Sequence, residues 1–165
     1  MYFETDDVKK ALDLLQKNTD YQKYQLNLAP MLENSSESLK NTNKSLQEAF
    51  FTAGFSGQMN KPQRFATYMR IKPGASQKYI YEHNHIWPSI LEGISRVKIR
   101  NYTIFISGVE LFSYFEVEDL DKAMQVLAGD AENQRWQQHM APLMEINSGI
   151  EDGSSIYLEE IFHID

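Results

Sequence analysis

The sequence predicts a mixed α+β domain of order β-α-β-β-α-β over residues 63–165, preceded by a helical extension over residues 1–60. Three observations predict it. Runs rich in aromatic and β-branched residues recur at 65–71, 97–107, 111–117 and 156–164, and turn residues bound them, as strands require. Between the first and second runs, and between the third and fourth, apolar residues fall at helical spacing instead of alternating. The two middle runs are separated by little more than Gly108, so they form a hairpin.

Each element has its own local reason. The first strand, Phe65-Ala66-Thr67-Tyr68-Met69-Arg70-Ile71, stops at Lys72-Pro73-Gly74-Ala75. Ser76 suits the N-cap of a helix running to Ser95. Pro88 kinks or restarts that helix, because it cannot donate to the carbonyl of Asn84. After the hairpin, Asp119 to Ala128 reads as helical, and Asp130 to Met144 reads as a second helix with Trp136, Met140 and Met144 on one face. A loop from Asn147 to Ser154 leads to the last strand, Ile156 to Ile164. Four antiparallel strands with both helices on one side make a ferredoxin-like sheet whose other face is open. Pairing with a second copy covers such a face economically, so a homodimer is expected.

Residues 1–60 have a different character, rich in Asn, Ser, Gln and Leu and without a convincing strand. Val8, Ala11, Leu12 and Leu15 repeat at helical spacing behind Asp6-Asp7, acidic residues that suit a helix N-terminus. A weaker helix is expected from Ser36 to Phe51, with Leu39, Leu46, Ala49 and Phe50 on one side. Thr52 to Gln63, with two Gly and one Pro, reads as a linker.

Composition narrows the function. At 165 residues the chain holds one good domain and an appendage. It contains no cysteine, which excludes disulfides, thiolate metal sites and cysteine nucleophiles and fits a reducing compartment. No apolar run is long enough to span a membrane, and the first residues lack signal-peptide character, so a cytoplasmic location without membrane contact is expected. Sixteen basic residues against 23 acidic ones give a net charge of −7, which argues against nucleic acid as a partner. A neutral small molecule suits this balance better.

The residues able to carry chemistry are few. Tyr79, His83 and Trp87 stand at i, i+4 and i+8, which on a continuous helix puts neighbours about 5–6 Å apart at their Cβ atoms. The stripe supplies a hydroxyl and an imidazole that titrates near neutral pH, but by pattern alone it reads more readily as three core-facing residues. His85 points about 200° away from His83, and no His pair has the i, i+4 spacing of a helical metal site, so no metal is expected. Trp136 offers a flat wall for a sugar's C–H face, with Gln137 beside it; the alternative is a core anchor for the last helix. Tyr102, at the start of a strand, either turns its hydroxyl into the same cavity or simply packs. No phosphate loop, dinucleotide fingerprint, nucleophile elbow or paired-carboxylate motif is present. Asp119, Asp121 and Glu159-Glu160 read as solvated ends of elements.

The run Tyr79-x-x-x-His83-Asn84-His85-Ile86-Trp87-Pro88 resembles the Tyr-x-x-x-His-Asn-Pro-Ile-Trp-Pro signature of L-rhamnose mutarotases. Asn101-Tyr102, Leu111-Phe112, Phe115-Glu116-Val117-Glu118, Gln134-Arg135-Trp136 and Leu158-x-Glu160-Ile161-Phe162 follow in that family's order and spacing. The resemblance covers residues 63–165 and leaves 1–60 unmatched. It implies a dimeric α+β barrel that interconverts the anomers of L-rhamnose without a cofactor. It also implies His83 as proton donor and Tyr79, Tyr102 and Trp136 as lining of the sugar site. Two departures bear on which sugar fits: Gln137 stands where many members have a second Trp, and His85 stands where the motif has Pro. Two other readings are a cofactor-free monooxygenase of the same barrel type and a non-catalytic sugar-binding module.

Overall fold

A computed structural model describes residues 5–28, 46–145 and 155–160. The chain divides into two compact units, Met1–Ser45 and Leu46–Asp165, each taken by itself.

In the first unit, helix α1 spans Val8–Lys17 and helix α2 spans Thr19–Leu28. Asp7 caps α1 by accepting from the Lys10 N–H at 2.9 Å. Asn18 does the same for α2, accepting from the Tyr21 N–H at 2.9 Å. The helix expected from Ser36 to Phe51 lies outside the described residues as far as Ser45, and from Gln47 onward the chain is a strand.

The second unit is one antiparallel sheet with helices on one face. Strands β1 (Gln47–Gly54), β2 (Gln63–Arg70), β3 (Arg100–Ser107), β4 (Glu110–Val117) and β5 (Ile156–Leu158) pair in the order β1-β3-β4-β2-β5. Leaving β1 aside, this is the ferredoxin-like order the sequence predicts. Helices α3 (Ser76–Asn84) and α4 (Pro88–Arg96) connect β2 to β3. Helices α5 (Leu120–Ala128) and α6 (Ala131–Met140) follow β4.

Strand β1 corrects two expectations at once, the helix ending at Phe51 and the linker beginning at Thr52. Its Phe50-Phe51-Thr52 core has strand-forming residues, and pairing with β3 satisfies an edge that would otherwise stand open. A register shift between Glu48 and Phe50 marks a bulge, which explains why the adjacent residues Ala49 and Phe50 are both buried. At the strand's end Gly54 has φ +63°, and a Cβ there would come within 2.3 Å of the Ile99 carbonyl oxygen. Only glycine allows that approach.

Alternation along β4 separates the two faces. Leu111, Ser113, Phe115 and Val117 are buried under the helices, whereas Glu110, Phe112, Tyr114 and Glu116 are half-buried on the other side. The core gathers Ile71, Tyr79, Ile90, Ile94, Ile104, Ile106 and Leu111 on the covered face.

Pro88 restarts the helix instead of kinking it. α3 ends at Asn84, the peptide turns through His85-Ile86-Trp87, and Pro88 takes the first position of α4, where its missing N–H costs nothing. Ser76 does not cap α3; Ala75 holds that position, and the Ser76 hydroxyl donates to the Gly108 carbonyl at 2.7 Å. The helix expected through Met144 stops at Met140, because Pro142 forces a 3₁₀ turn over Ala141–Leu143, and Met144 bridges to Ile71 instead. The last strand covers only Ile156–Leu158 of the span expected, and 161–164 and the loop at 147–154 lie outside the described residues.

Candidate active site

Five of the six residues singled out from the sequence meet in one aromatic cluster. One helical turn apart on α3, the rings of Tyr79 and His83 lie 4.2 Å centre to centre. From α6, Trp136 meets His83 edge-on at 5.6 Å. Trp87, beyond the break in the helix, reaches Trp136 at 5.4 Å, so the restart at Pro88 aims it back toward the cluster. Tyr102 enters from β3 and is joined to His83 through Phe50, whose ring is 5.5 Å from His83 and 5.6 Å from Tyr102. Gln137 stands apart: it is exposed, about 100° around α6 from the buried Trp136.

Tyr102 owes its place to a distortion of β3. The register with β4 shifts between Arg100 and Thr103, and Asn101 adopts φ +51°. Glu116 pins this bulge by accepting from Arg100 at 2.7 Å, from Asn101 at 3.0 Å and from the Tyr114 hydroxyl at 3.0 Å. Burial works to raise the Glu116 carboxyl, but the three hydrogen bonds outweigh it and hold the group below the usual carboxylate range.

The imidazole of His83 is 7% exposed. A carbonyl oxygen can only accept, so Nδ1 carries a proton and donates to the Tyr79 carbonyl at 3.1 Å. Burial lowers the pKa of His83, and the Tyr79 carbonyl and the Glu82 charge oppose this only in part. The ring at pH 7 is therefore neutral, with Nε2 bearing the lone pair. Burial also raises the Tyr79 phenol and pushes Tyr102 up to about 12, so both keep their protons. Among the described residues, none hydrogen-bonds to Nε2 of His83 or to either phenol, and yet no fully enclosed side-chain polar atom lacks a partner. All three polar tips are thus left without an intramolecular partner among these residues, and of the three it is His83 that lines the cavity beside the cluster.

The cavity beside His83 has a wall on each side. Of about 410 Å³, it is lined by His83, Asn84, Ile86 and Leu91 on the helical side and by Glu48 to Thr52 of β1 on the other. On the outer flank of the two tryptophans, His139 bonds to Glu82 at 2.8 Å and lies 5.5 Å from Trp87. The Arg135 guanidinium covers Trp87 at 5.5 Å. Sequence reasoning missed Phe50, His139 and Glu82. For the last two the only signal is their polarity on otherwise solvated helix faces; for Phe50 there is none beyond its being aromatic.

Comparison with known proteins bears on what this cluster is. A 99-residue stretch is 34% identical to the L-rhamnose mutarotase of Oceanobacillus iheyensis, covering 59% of this chain and 93% of that one. The L-rhamnose mutarotase of Bacillus subtilis is 33% identical over 105 residues, which is 62% of this chain and 99% of the relative. Residues 64–164, more than half of the chain, match the family model for L-rhamnose mutarotase. The chain belongs to the L-rhamnose mutarotase family. The crystal structure of the L-rhamnose mutarotase from Formosa agariphila aligns with a TM-score of 0.53 at 29% identity, covering 62% of this chain and 99% of that one. The L-rhamnose mutarotase match begins at β2 and takes in Tyr79, His83, Tyr102 and Trp136, but it leaves out β1 and therefore Phe50.

Proposed function

We propose that this member of the L-rhamnose mutarotase family interconverts the α and β anomers of L-rhamnose or a closely related deoxyhexose, with His83 as the acid–base group. One observation carries the assignment of roles. Nδ1 of His83 is committed to the Tyr79 carbonyl, while Nε2 and the phenols of Tyr79 and Tyr102 lack hydrogen-bond partners among the described residues.

The reaction moves one proton from the anomeric hydroxyl to the ring oxygen. Nε2 takes the proton from the hydroxyl, and the resulting imidazolium delivers it to the ring oxygen as the bond from that oxygen to the anomeric carbon breaks. Rotation about the adjacent carbon–carbon bond turns the free aldehyde over, and the reverse steps close the other anomer. A group whose pKa lies near the working pH performs such transfers best and contributes roughly 10²–10⁴-fold. Tyr79 and Tyr102 donate to sugar hydroxyls and Trp136 faces the ring, while Gln137, exposed apart from the cluster, takes no part in this arrangement. The sequence of steps is redox-neutral and needs no cofactor or metal.

The partner is thus a monosaccharide, and the working form is a homodimer paired through the open sheet face. Supporting the dimer, that face carries Tyr68 and Phe112 in ring contact at 5.4 Å, and Phe51 on the edge strand β1 is 54% exposed. None of the described helices is long and apolar enough to cross a membrane. A cytoplasmic setting is supported by a chain that contains no cysteine. Family membership disfavours the monooxygenase reading. The test is saturation-transfer NMR on L-rhamnose: added protein speeds anomer exchange well above buffer. A rate equal to buffer, with the sugar still binding by calorimetry, would leave a sugar-binding module instead.

A further inference from the structure

We infer that strand β1 is part of the sugar site, and that Phe50 and Thr52 select which pyranose it accepts. The inference rests on the proposed mutarotase reading and adds to it residues that lie outside the family-matched span 64–164.

The cavity beside His83 carries the argument. Its volume of about 410 Å³ falls within the roughly 300–1,000 Å³ of small-molecule sites. His83 lines it together with Asn84, Ile86 and Leu91, and the facing wall is entirely β1. A ligand that reaches the imidazole through this cavity therefore touches β1.

Phe50 is held in place by that strand. The bulge turns Ala49 and Phe50 inward together, and the phenyl ring stands edge-on to His83 at 5.5 Å and to Tyr102 at 5.6 Å. Phe50 and Thr52 share the helix-facing side, paired with Ile104 and Tyr102 of β3. The Thr52 hydroxyl oxygen accepts from the Gly54 N–H at 3.2 Å, which leaves its proton free to donate. Across the cavity the exposed Asn84 carboxamide has no hydrogen-bond partner among the described residues.

An apolar corner of Phe50, Ile86 and Leu91 beside a hydroxyl donor and an amide suits a neutral polyol with one apolar corner of its own. A 6-deoxyhexose offers that corner as its methyl group. The parent hexose presents a hydroxymethyl there, whose hydroxyl loses its hydration against Phe50 without gaining a partner.

The experiment uses the full chain and measures kcat and KM for L-rhamnose and for L-mannose, its 6-hydroxy counterpart, by saturation-transfer NMR. The wild type favours L-rhamnose. Phe50→Ala raises KM for L-rhamnose about tenfold with kcat little changed and narrows the preference over L-mannose, the scale expected of one apolar contact in a pocket. Phe50→Leu falls between the two. Thr52→Val, a near-isosteric change on a half-buried side chain, raises KM for both sugars and keeps the protein folded even if Phe50→Ala does not. Unchanged KM and unchanged preference in these variants would overturn the inference while leaving the mutarotase reading intact. So would faster turnover in Phe50→Ala, which would make the strand an obstruction. A wild type that exchanges neither sugar would remove both readings together.

Discussion

The two faces of the sheet spend similar residues on different ends. On the covered face, aromatic rings interlock: Tyr79, His83, Phe50, Trp136 and Tyr102 form one cluster, and among the described residues none hydrogen-bonds to Nε2 of His83 or to the phenols of Tyr79 and Tyr102. On the open face, Tyr68, Phe112 and Tyr114 are aromatic as well, but they sit among Arg70, Glu110, Arg100 and Glu116 in exposed or half-exposed ion pairs. Aromatic content alone therefore does not mark a site. What marks it is burial together with polar tips that the protein itself leaves unanswered.

Breaking the covered face at its chemistry has the largest expected effect. His83→Ala lowers the rate of anomer exchange by roughly 10²–10⁴-fold while the far-ultraviolet spectrum and oligomeric mass stay as in the wild type. Full exchange in that variant would take His83 out of its role. Breaking the same face at its packing comes next. Leu111→Ala removes a fully buried side chain and costs about 2–5 kcal/mol in urea unfolding. Its neighbour across the pleat behaves differently: Phe112→Asp converts the dimer to a monomer by sedimentation and leaves the fold in place, since that ring looks away from the core. A dimer unaffected by this charge would place the interface elsewhere.

The smallest effect is a pH dependence confined to the covered face. Burial lowers His83 below the value near 6.5 that an unfolded imidazole shows. Below that pH the unfolded chain binds a proton that the folded one resists. Stability is therefore full above about 6.5 and declines as pH falls, levelling off once the folded imidazole is also protonated. The change is at most about 1.4 kcal/mol for each unit by which the two values differ. Urea midpoints at several pH values should show this slope in the wild type and lose it in His83→Phe.

How much of this was legible in the residues differs by element. The hairpin at Gly108 and the capping aspartates Asp119 and Asp130 are local signals, and each stands within a residue or two of its expected place. Tyr79 and His83 were readable as neighbours because helical spacing alone brings them together. Strand β1 was not readable. Leu46, Ala49 and Phe50 fit a helical stripe, and nothing nearby in sequence reveals the unpaired edge of β3 that captures them. Trp87 illustrates the middle case: spacing put it in the stripe, but the helix ends before it, and it arrives by way of a new helix begun at Pro88.

The order of strands and helices after residue 63 and the exclusion of cysteine chemistry follow from the sequence by itself, because period, turn residues and composition are properties of neighbours along the chain; the role expected of His83 is what the resemblance to L-rhamnose mutarotases implies. The meeting of Tyr102 with His83 through Phe50, the burial of the His83 ring and the wall that β1 gives the cavity were decided only by the tertiary structure. Those features depend on pairings between residues tens of positions apart, and on how far each pairing removes a group from water.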